Sequence, residues 1–224
     1  MPSTSVRTWQ QFGLFVLCLF ASGKVVDTCL DWDTWWHLRV GQFISSTGQL
    51  PASEPFSQTG QEKGTVWIAY SWIYELILYA TFTKVGVTGI LAFKSILVML
   101  SWSGFAWYLF HHCENRWRAL LLLALVTIAL RPFATERPWH FTILFTTLTL
   151  HAVVQVRSGA PLRRYYGLFP LYVIWANIHI QFVLGFAILG LGWLVAWIEA
   201  RRSGRPDERA RVPRLFFLGL GCSQ

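Results

Sequence analysis

Two aspartates lie in an aromatic segment, Asp31-Trp32-Asp33-Thr34-Trp35-Trp36-His37, directly after the first strongly apolar block of the chain. Carboxylates are costly in hydrocarbon, whereas tryptophan favours the boundary between lipid and water. We therefore expect this segment at a membrane surface. There Asp31 and Asp33 could bind a divalent cation such as Mg²⁺ or Mn²⁺ through oxygen, or one of them could take a proton from an acceptor hydroxyl.

Helix capping is the alternative interpretation of these acids. Asp33 stands just before an amphipathic run, and Asp is a favoured N-cap residue. One residue suffices for a cap, so capping leaves Asp31 unexplained. His37 follows Asp33 by one helical turn and is expected on the same helical face. Capping and a catalytic or metal-binding pair both stay open.

A second polar group links two apolar segments near residue 135. Arg131 and Arg137 are each followed by proline, and His140 comes shortly after them. Snorkelling arginines beside prolines that end one helix and open the next are one interpretation. Guanidinium groups also bind phosphate bidentately, which makes these residues candidates for binding a phosphate head group.

Further polar residues interrupt apolar stretches. Asn177 and His179 either satisfy backbone groups at a break between two crossings or face a polar cavity. Glu75 is an acid within an apolar segment and is a candidate for substrate binding; an ion pair with Lys84 or Lys94 is its alternative. A Gly-rich phosphate loop, a zinc spacing and a Ser/Cys–His nucleophile motif are missing from the sequence, which argues against a soluble nucleotide-dependent enzyme.

The composition is typical of a membrane-embedded protein. Of the 224 residues, 54% are hydrophobic and 13% are charged, against about 25% charged in soluble domains. The net charge is +8, but the arginines cluster in short connections between apolar blocks, as in cytoplasmic loops that face anionic lipid. Membrane lipid is therefore an expected partner, and nucleic acid is not.

The fold class predicted from these patterns is all-α: a polytopic transmembrane helical bundle of about six or seven membrane segments. The apolar segments are expected at about 12–30, 70–85, 88–110, 119–130, 139–156, 165–178 and 182–200. A signal peptide that ends near Ala21-Ser22-Gly23 is the alternative for the first of them. Residues 1–200 would form the membrane module, and 201–224 a basic cytoplasmic loop followed by the start of a truncated further helix.

The external loop, about 31–69, is expected to hold an amphipathic helix that lies in the interface. This helix would run from Thr34 to about Ser46, and Gly48 would end it. A small hairpin between 56–59 and 65–68 would follow. The stripe that faces the apolar side is expected to be Trp36, Val40, Phe43 and Ile44.

Charge predicts the sidedness of the loops but leaves one conflict. The basic stretches 111–118, 157–164 and 201–214 suit one cytoplasmic side, so 131–140 should lie outside together with the loop 31–69. An odd number of apolar segments separates those two external regions. The weak member is 70–85, because about 16 residues reach roughly 24 Å, short of a 30 Å core. We expect a re-entrant or half-buried helix there.

The order of these motifs resembles bacterial multi-pass proteins related to GT-C glycosyltransferases, the relatives of protein O-mannosyltransferases and lipopolysaccharide core sugar transferases. The resemblance spans roughly residues 12–200, the N-terminal module of that fold. It rests on the block from Asp31 to Gly41, then Glu54-Pro55-Phe56-Ser57, Ser71-Trp72-Ile73-Tyr74-Glu75, Arg137-Pro138 and Trp175-Ala176-Asn177-Ile178-His179.

The resemblance implies sugar transfer from a polyprenyl-phosphate donor to an acceptor hydroxyl at the outer face of the bacterial inner membrane. An acid of the first external loop would be the catalytic base or a metal ligand, and Asp31 and Asp33 are the matching positions. The expected substrate-binding residues are His37, Glu75, Arg131, Arg137, His140, Asn177 and His179.

The chain departs from the family pattern at several places. It has Tyr70-Ser71-Trp72 where a His-Glu-Trp block is common, and Ile180-Gln181 where a Gly-Gly pair often follows the histidine. The later helices and the C-terminal soluble domain are absent, so an inactive or truncated product is one expectation. The other class is a non-enzymatic multi-pass protein, such as a transporter part or an assembly subunit; the lack of an internal repeat argues against a transporter.

Overall fold

A computed structural model describes residues 30–203. Within that range the chain is helical, and its only extended pairing is an isolated antiparallel bridge between Ser53 and Val66. The all-α prediction is therefore confirmed. The expected first apolar segment, the signal-peptide alternative at 21–23 and nearly all of the predicted 201–224 region lie outside the described residues.

Seven α-helices and three short 3-10 helices form the described part of the chain. The α-helices are α1 (Asp33–Thr47), α2 (Gln58–Lys63), α3 (Trp72–His112), α4 (Arg116–Leu130), α5 (Trp139–Arg157), α6 (Leu168–Ile178) and α7 (Val183–Ser203). The 3-10 helices are Arg131–Phe133, Leu162–Tyr165 and Ile180–Phe182.

Three stretches within residues 30–203 are long and apolar enough to cross a membrane: Trp72–His112, Trp139–Arg157 and Ile180–Glu199. Helices α4 and α6 have 15 and 11 residues. They span about 22 Å and about 16 Å, less than the roughly 30 Å of a bilayer core. The expected count of six or seven membrane segments stays a prediction.

Helix α3 reverses its direction at Gly86, where the backbone is non-helical (φ 71°, ψ −156°). A straight helix would separate Tyr74 from Phe93 by about 28 Å, yet their ring centroids are 6.3 Å apart. Leu78 and Ile90 also share one buried cluster. Residues 72–85 therefore fold back against the beginning of 87–112, and we call these two parts the first and second arms of α3.

Helix α1 packs closely on the first arm of α3. A Cβ atom at Gly41 would overlap the carbonyl oxygen of Glu75, so only glycine permits this approach. The helix ends at Gly48, which adopts the left-handed conformation (φ 67°), as predicted. The expected apolar stripe is partly wrong: Val40 and Ile44 are buried, but Trp36 and Phe43 are not. The buried residues of α1 are those that face α3, namely Thr34, Leu38, Val40, Gly41 and Ile44.

Aromatic rings from α1 instead hold the loop that follows it. Trp36 stacks on Trp67 with centroids 5.1 Å apart and meets Phe56 edge-on at 5.2 Å. Phe43 contacts the same Phe56 ring at 6.1 Å. These contacts fix the connection between α1 and α3 over the surface of α1.

The predicted hairpin between 56–59 and 65–68 is wrong. The Glu54 carboxylate accepts hydrogen bonds from the N–H groups of Phe56 (2.8 Å) and Ser57 (2.7 Å), which turns the chain. Ser57 then caps α2, accepting from the Gly60 N–H at 3.0 Å. Segment 65–67 pairs with 52–54 instead, through the Glu54 N–H to the Thr65 carbonyl at 2.9 Å.

Helix α5 runs alongside the second arm of α3. Near its beginning, the His140 carbonyl accepts from the Ser101 hydroxyl at 2.9 Å; near its end, His151 meets His112 at 3.0 Å. The bundle therefore has two distinct ends. The connection 131–138, the break at 179–182 and helix α1 gather at one end, and the C-terminal ends of α3 and α5 lie at the other.

Candidate functional site

A cavity of about 560 Å³ opens at the end of the bundle where α1 lies. Four segments meet on it, at residues 33–37, 70–71, 137–139 and 179–181. Four residues predicted to form a site line it: Asp33, His37, Arg137 and His179. The other lining residues are Trp36, Tyr70, Ser71, Pro138, Trp139, Ile180 and Gln181. The lining does not include Asp31, Glu75, Arg131, His140 or Asn177.

Asp31 and Arg137 form a bidentate ion pair at the edge of this cavity. Arg137 Nε donates to Asp31 Oδ2 at 3.1 Å, and Nη2 donates to Oδ1 at 3.0 Å. Burial raises the pKa of the Asp31 carboxyl, but hydrogen bonds from Arg137 and from the Asp33 N–H outweigh it, so this pKa lies below its ordinary value. The hydrogen bond to Asp31 raises the pKa of Arg137 above its ordinary value.

Asp33 does not cap α1 with its side chain, contrary to one interpretation of the sequence. Asp31 has that local role, since its Oδ1 accepts from the Asp33 N–H at 3.0 Å. The Asp33 carboxylate instead lies 2.9 Å from Arg137 Nη2, with 51% of the side chain exposed. It therefore faces the cavity with one oxygen held by the guanidinium and the rest open to solvent or to a ligand.

A buried ion pair between Glu136 and Lys94 holds the backbone of Asp31 in place. Glu136 accepts from the Asp31 N–H at 2.8 Å through Oε2, and its Oε1 pairs with Lys94. Both side chains of that pair are 1% exposed. The Tyr74 hydroxyl donates to the Glu136 carbonyl at 2.6 Å. Sequence reasoning missed this role of Glu136, although Lys94 is a buried cation within an apolar segment and so requires an acid.

Glu75 pairs with His37, and the predicted alternative of a pair with Lys84 or Lys94 is wrong. His37 Nδ1 lies 3.2 Å from Glu75 Oε1. A carboxylate oxygen accepts hydrogen bonds, so the tautomer with the proton on Nδ1 would donate to Glu75. His37 Nε2 is then left to interact with the cavity, and Glu75 orients the ring without reaching the cavity itself.

His179 is buried beside the break between α6 and α7. Its Nδ1 lies 2.7 Å from the Thr142 hydroxyl, which accepts from Trp175 Nε1 at 3.0 Å. The Trp139 ring meets the imidazole edge-on at 5.0 Å. Burial, with a smaller contribution from His37, lowers the pKa of His179 to about 4. The ring is therefore neutral at physiological pH, and a hydroxyl proton donated by Thr142 would leave Nε2–H as a donor.

Three other predicted residues lie away from the cavity. Arg131 is exposed in the 3-10 helix after α4. His140 is buried against Trp102, with ring centroids 6.1 Å apart. Asn177 joins two helix ends, since its Oδ1 accepts from Trp72 Nε1 at 2.7 Å. In the structure, these positions contribute to packing and helix connection.

Two of the places where the chain departs from the pattern of the glycosyltransferases that it resembles face the cavity. Tyr70 and Ser71 line one side, and Ile180 and Gln181 line another. Ser71 Oγ and Gln181 Oε1 are buried and have no hydrogen-bond partner among the described residues. Buried polar atoms normally have partners, so these two atoms are available to a ligand. In the sequence, the only signal for Ser71 and Gln181 is their position close to Trp72 and His179.

The residues that line the cavity favour an anionic ligand together with a second substrate that carries a hydroxyl group. Arg137 uses Nε and Nη2 for the two aspartates, and no hydrogen bond within the described residues uses Nη1. A guanidinium carries five N–H donors, so the two on Nη1 can bind a phosphate oxygen. The same guanidinium contacts both Asp31 and Asp33. It therefore occupies the position at which a metal ion shared by the two carboxylates would bind.

Comparisons with protein-family models, with curated proteins and with solved structures find no match for this chain.

Proposed function

We propose that the chain is a membrane glycosyltransferase of the GT-C kind, which transfers a sugar from a polyprenyl-phosphate donor to an acceptor hydroxyl. The observation that carries the proposal is the meeting of Asp33, Arg137 and His179 on one cavity at the end of apolar helices. These residues supply a carboxylate, a fixed cation and a neutral imidazole. A sugar linked to a lipid phosphate requires groups of this kind at the membrane surface.

The phosphate of the donor would bind to Arg137 and the neutral groups around it. Its oxygens would accept from the two Nη1 N–H groups, and the Nε2–H of His179 would add a donor. Asp31 keeps the guanidinium in place through two hydrogen bonds. The polyprenyl chain would lie along the apolar surface of the bundle, in contact with lipid.

Asp33 is the proposed general base. Its carboxylate would take the proton of the acceptor hydroxyl while that oxygen attacks C1 of the sugar. The bond between C1 and the phosphate oxygen breaks, and the lipid phosphate leaves with the electron pair. Arg137 stabilises the negative charge that develops on this oxygen. The proton on Asp33 then passes to water, because half of its side chain is exposed.

A bacterial inner-membrane topology agrees with the reversal of α3. If residues 72–85 fold back at the surface, only the second arm crosses, and 31–69 and 131–140 fall on the same outer side. The basic stretches 111–118 and 157–164 then both face the cytoplasm, as the distribution of positive charge favours. The short helices α4 and α6 would then cross as well, which gives five crossings within residues 30–203.

A divalent cation is not required in this scheme, because Arg137 already pairs with both aspartates and would itself stabilise the charge on the leaving phosphate. The competing proposal is that Mg²⁺ or Mn²⁺ displaces the guanidinium and binds both carboxylates. Transfer that persists in the presence of a chelator supports the scheme with Arg137, and transfer that requires added Mg²⁺ or Mn²⁺ supports the cation.

The test is sugar transfer by the full chain in proteoliposomes supplied with radiolabelled polyprenyl-phosphate sugars and membrane acceptors. We expect transfer by the wild type and a loss of at least a hundredfold for Asp33→Asn, because general base catalysis contributes about 10² to 10⁴ in rate. Arg131→Ala is the matched control, since Arg131 lies outside the cavity. Equal transfer by wild type and Asp33→Asn contradicts the catalytic assignment.

The second candidate is a non-enzymatic membrane protein that binds the lipid phosphate and releases it unchanged. The residues Tyr70-Ser71 and Ile180-Gln181 favour this candidate, because they line the cavity and differ from the pattern of the glycosyltransferases that the chain resembles. This candidate predicts no sugar transfer by the wild type or by any variant in that assay. It also predicts binding of the lipid phosphate that depends on Arg137.

A further inference from the structure

Three histidines gather at the end of the bundle opposite the cavity. His111 and His112 end α3, and His151 lies on α5. One ring nitrogen from each of the three lies within 4.8 Å of the others. The cavity residue His179 packs near Thr142, about 14 Å along α5 from His151. This histidine cluster is therefore separate from the proposed transferase site, and its interpretation does not depend on that function.

We propose that the histidine cluster binds a transition-metal ion of the zinc class. Imidazole nitrogens suit Zn²⁺, Cu²⁺ and Ni²⁺, and three histidines with an open fourth position form a known type of zinc site. The hard cations Mg²⁺ and Ca²⁺ prefer oxygen ligands and would not bind here.

The distances agree with such a site. Zinc lies about 2.0–2.1 Å from an imidazole nitrogen, so two nitrogens in a tetrahedron are about 3.3 Å apart. His112 Nε2 and His151 Nδ1 are 3.0 Å apart, which requires an adjustment of only a few tenths of an ångström. His111 is exposed at the helix end, so its side chain can move the further distance needed to complete the set.

Neighbouring side chains orient the three rings. The Trp107 ring lies 4.6 Å from His151 and 5.6 Å from His111. Gln155 lies within hydrogen-bond distance of His111 Nε2, at 3.3 Å. Groups of this kind hold metal ligands in position, and they contribute to affinity. The exposure of His111 leaves a path for the ion from solvent.

A hydrogen-bonded histidine pair at a helix end is the alternative explanation. It requires one ring nitrogen to donate and the other to accept, and it binds no ion. A metal would replace the shared proton and link α3 to α5 at their C-terminal ends, which stabilises the folded chain as the ion concentration rises.

Metal titration of the purified full chain decides between these explanations. The protein is prepared in detergent with a tag that contains no histidine, stripped with a chelator, and titrated with Zn²⁺ by calorimetry and with Co²⁺ by visible absorption. We expect one ion per chain with tetrahedral Co²⁺ bands, and at least a tenfold weaker affinity for His151→Ala and for His111→Ala. His37→Ala is the control and should bind as the wild type does.

Three results would overturn the proposal: no saturable binding by the wild type, equal binding by the wild type and His111→Ala, or a loss of binding in His37→Ala alone. His111→Ala keeps the test decisive if His151→Ala fails to fold, because His111 is exposed. A loss of sugar transfer in Asp33→Asn with unchanged Zn²⁺ binding would separate the two sites.

Discussion

Arg137 holds both carboxylate oxygens of Asp31, at 3.1 Å and 3.0 Å, across 106 positions of the chain. This pair joins the segment before α1 to the connection between α4 and α5. The same guanidinium reaches Asp33 at 2.9 Å. Asp31 therefore positions the Arg137 guanidinium, and the more exposed Asp33 stays available to a ligand.

Asp31→Asn should lower the free energy of unfolding by about 1–2 kcal/mol, because a bidentate charge-assisted pair is lost at a partly exposed position. Chemical unfolding in detergent, followed by tryptophan fluorescence, measures this change. The double variant Asp31→Asn/Arg137→Gln should lose less than the sum of the single variants. Additive losses would show that the two side chains do not stabilise the fold as a pair.

Lys94→Met should destabilise the protein strongly. It leaves the Glu136 carboxylate buried without its cation, a change that typically costs about 3–5 kcal/mol. Arg157→Met is the matched control, because Arg157 pairs with Glu199 at the surface and its loss should cost less than about 1 kcal/mol. The melting temperatures of the two variants in the same detergent make the comparison. Equal shifts would contradict the buried character of the Lys94–Glu136 pair.

Gly86→Ala should destabilise the chain more than Gly48→Ala. Gly86 combines φ 71° with ψ −156°, a region that is open essentially only to glycine and costs other residues about 1–3 kcal/mol. Gly48 adopts φ 67° and ψ 12°, the left-handed helical region that alanine reaches at about 1 kcal/mol. Thermal unfolding of both variants gives the order. A smaller effect at Gly86 would argue against a reversal of α3 at this residue.

Stability should fall as pH decreases from about 6.5 to 4. His179 is buried and neutral, with its pKa lowered to about 4, whereas the unfolded chain binds a proton near pH 6.5. The unfolded state therefore gains protons first in this window, and the free energy of unfolding drops by on the order of 2 kcal/mol after allowance for solvent screening. His179→Gln should remove this part of the pH dependence. An identical pH profile for wild type and variant would show that the His179 ring is not protected from protonation.

The sequence predicted the helical character, the limits of α1 and the short block before Gly86, because apolar runs and glycine report on local backbone preference. It also predicted nine site residues, because polar groups in an apolar chain often belong to a functional site. Asp33, His37, Arg137 and His179 line the cavity, whereas the other five do not: Asp31, Glu75, Arg131, His140 and Asn177. The sequence could not predict which acid meets which base. That choice depends on the reversal at Gly86, which brings Lys94 to Glu136 and leaves Glu75 to His37.

The histidine cluster shows the same limit in another form. His111 and His112 are adjacent in sequence and ordinarily point to different sides of a helix. Only the parallel course of α3 and α5 brings His151 to them. The spacing of 39 residues between His112 and His151 carries no metal signature, so sequence patterns alone could not indicate the site.

Binding of a polyprenyl phosphate tests the central claim most directly. Native mass spectrometry of the full chain would compare the wild type with Arg137→Ala and with Arg131→Ala, two arginines of one connection that differ in their access to the cavity. We predict at least a tenfold weaker affinity for Arg137→Ala and an unchanged affinity for Arg131→Ala. Equal affinity of the wild type and Arg137→Ala would contradict a cavity that binds a lipid phosphate.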